Sequence, residues 1–256
     1  LRHTDALTMA DMLMTCRVVI KEIAMKNGCH ATFMPKPIFG INGSGMHTHQ
    51  SLYKGQVNAF YDADDQDHLS DDAKWFIAGL LRHACEITLV TNQWVNSFKR
   101  LVQSPDRAPL GYEAPVYVSW ATVNRSDLIR VPDYKAGREE SRRVEYRAPD
   151  PACNPYLAFS VMLAAGLEGI INRYEIPSPL NANVFEMTDS ERANLGISTL
   201  PRNLGEAVAI TEQSDLVRKA LGSHVFESFI HNKKLEWEKY NTLVTDHEIR
   251  ENLPVL

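Results

Sequence analysis

Cysteine is scarce: Cys16, Cys29, Cys85 and Cys153 are spread over 256 residues, with no C-x-x-C spacing of the kind a zinc or redox centre uses. A chain of this length builds its core without disulfide staples, so reduced thiols and a cytoplasmic location are expected. Long apolar runs are missing too. None approaches the roughly 20 residues that span a bilayer, and no secretory pattern opens the chain, so no membrane partner is expected. Basic charge is in deficit, with 27 Lys and Arg against 32 Asp and Glu and a net charge of -5. Without a basic stripe or tail, nucleic acid is excluded as an expected partner. Internal repeats and low-complexity tracts are also absent. The first residue is Leu1 rather than methionine and a helical pattern is under way by residue 8, so the chain reads as a fragment or processed piece.

What remains is an ordinary globular composition, 44% apolar and 23% charged, enough for one large domain or two small ones. Thr8 with Asp11 predicts the start of a helix that ends at Asn27 and Gly28, its apolar side formed by Leu13, Cys16, Ile20 and Ile23. Lys54 and Gly55 predict a hairpin turn, with a return strand over residues 57–61. The six carboxylates of residues 62–72 lack the glycine and terminal glutamate of an EF-hand loop, and read as a solvated turn with Ser70 capping a helix over 71–91. The runs PVYVSW and DLIRVP read as strands. Asn154 and Pro155 open a helix over 155–173, apolar nearly all round and therefore expected to be buried. Further helices are expected near 203–210, 214–221 and 223–244.

Two stretches carry chemistry. In residues 36–51, KPIFGINGSGMHTHQS, a turn bearing Gly43 and Gly45 runs into an alternating segment that sets His47, His49 and Ser51 on one face if it is a strand. The glycines allow positive φ and close approach of backbone to a ligand. A hairpin entry with two surface histidines is the plainer alternative. In SRRVEYR, alternation puts Arg143, Glu145 and Arg147 on one face and Val144 and Tyr146 on the other. Arginine, carboxylate and arginine together are costly unless a ligand or partner neutralises them. If the two strands share a sheet, His47 and Glu145 offer N and O ligands to a divalent cation, and the arginines suit anionic groups. Eight of the sixteen arginines fall between 100 and 147; the alternative for each is a surface ion pair.

NGSGMHTHQS, NSFKR, GYEAPV, NRSDLIRVP, RRVEYR and DPACNPYLAFSVMLAAGLEGI, in this order, resemble the catalytic domain of glutamine synthetase of the bacterial and archaeal type. The resemblance covers nearly the whole chain. It implies an α+β fold, a curved, mainly antiparallel half-barrel sheet backed by helices, in a single catalytic domain over 1–256 that lacks the family's N-terminal β-domain. It implies ATP-dependent joining of glutamate and ammonium through γ-glutamyl phosphate, with ATP and Mg2+ or Mn2+ as cofactors, and self-association into rings, a dodecamer in the full-length protein. By motif, His47 and Glu145 resemble metal ligands, and His49 and Ser51 nucleotide contacts. Asn42 and Gly43 resemble contacts to the amino-acid substrate. Arg100, Arg125 and Arg147 match arginines that hold glutamate and its phosphorylated intermediate. Arg130 and Arg143 match those around the ATP phosphates, a role Arg125 shares. Glu113 resembles the glutamate that closes over the site and helps deprotonate ammonium, with Arg125 as the other catalytic residue.

Three departures stand out. Residues 103–110 lengthen the loop before Glu113, acidic Glu139 and Glu140 replace a lysine near the arginine pair, and Phe185 stands where some members carry a tyrosine that is adenylylated. One histidine and one glutamate are also too few for the family's paired-metal site, so the isolated chain is expected to be inactive. The alternatives are a γ-glutamyl ligase for another amine, a noncatalytic scaffold or regulator, and, ranked last, a phosphagen-kinase-like phosphotransferase.

Overall fold

Most helix starts among the described residues are set by side-chain caps. A computed structural model describes residues 1–102, 114–122, 124, 126–180 and 182–256. Helix α1, Ala6–Lys26, begins at Asp5, whose carboxylate accepts from the Thr8 backbone N–H. The cap is therefore Asp5 rather than Thr8, and Asp11 is left to accept a hydrogen bond from the Tyr156 hydroxyl at 2.5 Å. Ser70 caps α2, Asp71–Arg82, as expected. The acidic turn before it is closed by Asp65, which accepts from the backbone N–H of Asp67 and Leu69 and pairs with Lys74.

The stretch 71–91 is two helices rather than one, because the backbone turns at His83 (φ -98°, ψ 8°) before α3, Ala84–Thr91. The bend lets α2 pack along α5, Pro155–Asn172, while α3 reaches α7, Leu204–Glu212. At the α2–α5 crossing, a Cβ on Gly79 would lie 2.2 Å from the Ala165 carbonyl oxygen, so only glycine permits this approach. Asn154 and Pro155 open α5 as expected. Burial is one-sided, however. Ala158, Val161, Met162 and Ala165 are enclosed, whereas Leu163 and Ile171 are 40% and 74% exposed. The helix is long and apolar enough by composition to approach a bilayer span, yet its closest packed residues face α2, α3 and α8, Asp215–Leu221.

The main sheet has the order β1-β6-β5-β4, formed by Thr48–Gln50, Val144–Tyr146, Ile129–Arg130 and Trp120–Ala121. The β1–β6 and β6–β5 pairs are antiparallel and β5–β4 is parallel, so the sheet is mixed and mainly antiparallel, backed by helices. Val144, Tyr146 and Ile129 are fully buried on the helix side. The separate hairpin of β2, Tyr53–Lys54, and β3, Val57–Asn58, turns at Gly55 (φ +66°). Its return strand ends at Asn58 rather than at 61; the Asn58 side-chain amide donates to the carbonyls of Glu139, Glu140 and Arg142. After α4, Val95–Arg100, the C-terminal part adds α9, Ser223–Asn241, where a helix was expected. Like α4, two further short helices were not foreseen: α6, Asp189–Asn194, and α10, Asp246–Asn252. Each begins with a Thr-x-x-Glu capping box, a signal that was there to read.

Candidate active site

The two stretches singled out for chemistry are neighbours in the sheet. Register places His49 opposite Glu145, and Arg130 opposite the same Glu145 from the other side. Alternation carries His47, Arg143 and Arg147 to that face as well. Glu145 is the centre. Its Oε1 lies 3.1 Å from His47 Nδ1 and accepts from Arg147 Nη1 at 2.8 Å, while its Oε2 accepts from Arg130 Nη1 at 2.7 Å. Burial by itself would raise the Glu145 carboxyl, but the hydrogen bond with His47 and the charges of Arg147, His49 and Arg130 outweigh it and hold it at about 2. It is an obligate carboxylate at neutral pH.

The two imidazoles are set differently. His47 Nδ1 is 3.1 Å from Glu145 and 3.2 Å from Arg147 Nη1; with its proton on Nδ1 it donates to Glu145 and keeps a lone pair on Nε2. His49 Nδ1 accepts from Arg143 Nε at 3.1 Å. Desolvation against the sheet lowers the pKa of His49; the Glu145 charge opposes this, and Arg143, Arg130 and His47 reinforce it. At neutral pH its uncharged form is therefore favoured, and its charge bears on Glu145 only in acid. Three guanidiniums, one carboxylate and two imidazoles on one face leave an excess of positive charge, which suits an anionic ligand.

The glycine turn is built differently from expectation. Neither Gly43 nor Gly45 has positive φ. Glycine is needed there for contact with the protein itself: a Cβ on Gly43 would lie 2.2 Å from the Pro35 carbonyl oxygen, and one on Gly45 would lie 2.6 Å from Arg100 Nη2. The turn is pinned by Ser44 N–H to the Pro35 carbonyl at 2.8 Å, and at its base by a two-way pair between the Asn96 side chain and the Lys36 backbone. Asn42 and Gly43 are exposed at its tip. Arg100 runs beneath the turn, 7% exposed, and donates to the carbonyls of Ala148 at 2.6 Å and Arg147 at 3.2 Å. Burial lowers its pKa to about 10, with Asp150 opposing, so it stays charged. Its guanidinium joins the turn to the end of β6. Asp150 is itself held by the Asn92 amide at 3.0 Å.

Of the residues singled out in the sequence, His47, His49, Arg130, Arg143, Glu145 and Arg147 come together; Ser51 lies half-buried just past β1, and Asn42, Gly43 and Arg100 form the adjoining turn. Glu113, Arg125 and the longer loop 103–110 lie outside the described residues. Asn96 and Asp150, which help hold this frame, lie in the motifs NSFKR and DPACNP without having been singled out, and Asn92 carried no signal, since a buried asparagine has no periodicity of its own. Phe185, in place of a modifiable tyrosine, packs edge-on against Tyr117 with ring centroids 5.2 Å apart.

For a divalent cation the donor set fits in kind, an imidazole nitrogen from His47 beside an ionised carboxylate from Glu145. Among the described residues no group of three His, Cys, Asp or Glu side chains is positioned to hold a metal.

Residues 1–252 match the family model described as glutamine synthetase, catalytic domain. The chain is 53% identical over 250 residues to the glutamine synthetase of Mycobacterium tuberculosis (strain ATCC 25618 / H37Rv), an alignment that takes in 98% of this chain and 54% of the relative. It is 49% identical over 255 residues to the glutamine synthetase of Methanosarcina mazei, covering 100% of this chain and 55% of that one. Among solved structures it is similar to a GmaS/ADP complex, with TM-score 0.88, 33% identity, and coverage of 99% of this chain and 56% of the other. The chain thus spans about half the length of the curated relatives it matches. The sheet face built on Glu145, the order of the motifs and the match along residues 1–252 lead to one conclusion: this chain belongs to the glutamine synthetase family, as its catalytic domain.

Proposed function

We propose that the Glu145 face serves ATP-dependent formation of glutamine from glutamate and ammonium, through γ-glutamyl phosphate. The observation that carries this reading is the convergence of His47 and Glu145, flanked by Arg130, Arg143 and Arg147, on one side of one sheet. Transfer of a phosphoryl group to a carboxylate brings two anions together, so positive charge aimed at that point lowers the barrier. His47 and Glu145 would hold Mg2+ or Mn2+, which when bound offsets charge on the phosphoryl oxygens. Arg130 and Arg143 would take nucleotide phosphates, and Arg147 the acyl phosphate or glutamate. His49, neutral and anchored by Arg143, offers its ring face and remaining nitrogen to the nucleotide, with Ser51 beyond it. Asn42 and Gly43 would meet the amino-acid substrate. Arg100 stands apart, with its donors turned to the backbone, and would act at one remove by holding the turn. For Glu113 and Arg125 the proposal rests on the motif alone.

The full assembly would be a cytoplasmic ring, a dodecamer, and the two metal ligands carried here would be insufficient for turnover by residues 1–256 alone. Two measurements test the reading. Mn2+ binding by calorimetry is expected to be lost in His47→Ala with Glu145→Gln, and binding equal to that of the unaltered chain overturns the site. In the full-length protein, ADP release is expected to depend on L-glutamate, with γ-glutamyl hydroxamate formed when hydroxylamine replaces ammonium. If nucleotide is hydrolysed without either, the ligase reading fails. A second reading is a γ-glutamyl ligase for another amine. A higher kcat/KM with a primary alkylamine than with ammonium would select it.

A further inference from the structure

We propose that Asp127 is a positioning residue for Arg147, supplying the buried counter-charge behind the guanidinium whose front engages Glu145 and His47. Asp127 is wholly buried, in the connection that leads into β5. The Ser119 hydroxyl donates to its Oδ1 at 2.6 Å. Its Oδ2 is buried and has no hydrogen-bond partner among the described residues, and the same is true of Arg147 Nε and of the neighbouring Ser126 Oγ; of these two, only Arg147 carries a charge opposite to that of Asp127. These complementary orphans belong to adjoining backbone: the Arg147 N–H donates to the carbonyl of Leu128, the residue after Asp127, at 3.0 Å. Arg147 spends Nη1 on Glu145 and stands beside His47, so its Nε edge is the part left to be oriented from behind. A buried donor and a buried acceptor of opposite charge, each short of one bond, are best satisfied by each other, directly or through one ordered water.

Energetics favour a functional reason for this carboxylate. Burial pushes Asp127 up to about 6, against the opposing effects of Ser119, Arg147 and Ser126. A group ionised at a cost to stability is often kept for its charge. The charge acts on the site as a whole. Removing one buried negative charge behind Arg147 makes the face more positive, so cations bind less well and anions no worse. A residue that merely braces the fold would weaken both when altered.

Two measurements decide it, and only the second rests on reading this face as a cation and phosphate site. With 15N-labelled arginine, the Arg147 Nε–Hε resonance is assigned by its loss in Arg147→Lys. At pH 7.5, Asp127→Asn, which preserves shape and the bond from Ser119, is expected to speed solvent exchange of that proton at least about fivefold and to shift the resonance, whereas Ser119→Ala leaves it slow. Exchange and shift unchanged in Asp127→Asn overturn the proposal. Asp127→Asn is also expected to weaken Mn2+ binding about threefold while pyrophosphate binding holds or tightens; a parallel loss of both overturns it in favour of a bracing role. The Mn2+ and pyrophosphate measurements use the full-length protein; if that protein, unaltered, binds no Mn2+, the ligase reading fails, and the resonance of Arg147 still decides the pairing.

Discussion

The Glu145 face and helix α1 invert the usual rule of placement. On the sheet, charged side chains are buried: Glu145 is 2% exposed and Arg147 4%. On α1, apolar side chains face water: Val18 is 60% exposed and Ile23 54%, and Ala10 is the helix's buried residue. Burying charge costs several kcal/mol per ion unless partners replace water, and the sheet meets this with ion pairs of 2.7 and 2.8 Å on the two oxygens of Glu145. Exposed apolar side chains cost far less individually. The contrast says where each region's tolerance lies: the sheet depends on every partner in its network, and the helix on almost none of its outward side chains.

The largest effect should therefore follow Glu145→Ala. Arg130, Arg147 and His47 would be left facing one another without a carboxylate, and the loss is expected to be about 3–5 kcal/mol in urea unfolding. The acid limb should change with it. Because folding lowers the pKa of Glu145 to about 2, its contribution is complete above the ordinary carboxylate range and is lost as pH falls through that range toward about 2. Glu145→Gln should flatten this part of the stability profile.

Arg100→Met comes next. It leaves the carbonyls of Arg147 and Ala148 without the donors they now have, and a destabilisation of about 2–3 kcal/mol is expected by the same measurement. A smaller effect of opposite sign is expected for Asp127→Asn. The raised pKa of Asp127 means that its ionised form opposes folding above about pH 6 and that this cost fades as pH falls toward the ordinary aspartate range. The variant should gain on the order of 1 kcal/mol at pH 7.5 and nothing near pH 4. The smallest effect belongs to α1, where Val18→Gln with Ile23→Gln should move stability by no more than about 0.5 kcal/mol per site. A loss of several kcal/mol there would show that the two regions are not the opposites they look.

How far the fold could be read depended on how local its causes were. Ser70, Asn154 with Pro155, and the turn at Gly55 act within three or four residues and were legible. The division of 71–91 at His83 was not, because it answers to α5 and α7, which are far away in the chain. The same holds for α5: its composition says apolar all round, and only its neighbours decide which side is covered. At the site, alternation correctly grouped Arg143 with Glu145 and Arg147 and set Val144 and Tyr146 opposite. The role of Gly43 and Gly45 was misjudged. Glycine allows both a positive φ and close contact, and nothing in the residue itself tells which is used.

By itself, then, the sequence determined the periods and caps: which residues form strands and helices, and which side chains share a face within one strand, since these follow from the geometry of neighbouring residues along the backbone. That His47 meets Glu145, that Arg130 closes the other carboxylate oxygen, and that Arg100 and Asp127 stand behind the face were decided by the pairing of β1, β6 and β5. Those contacts join residues 15 to 100 positions apart. No local rule reaches that far; the cost of leaving a buried charge unpaired does.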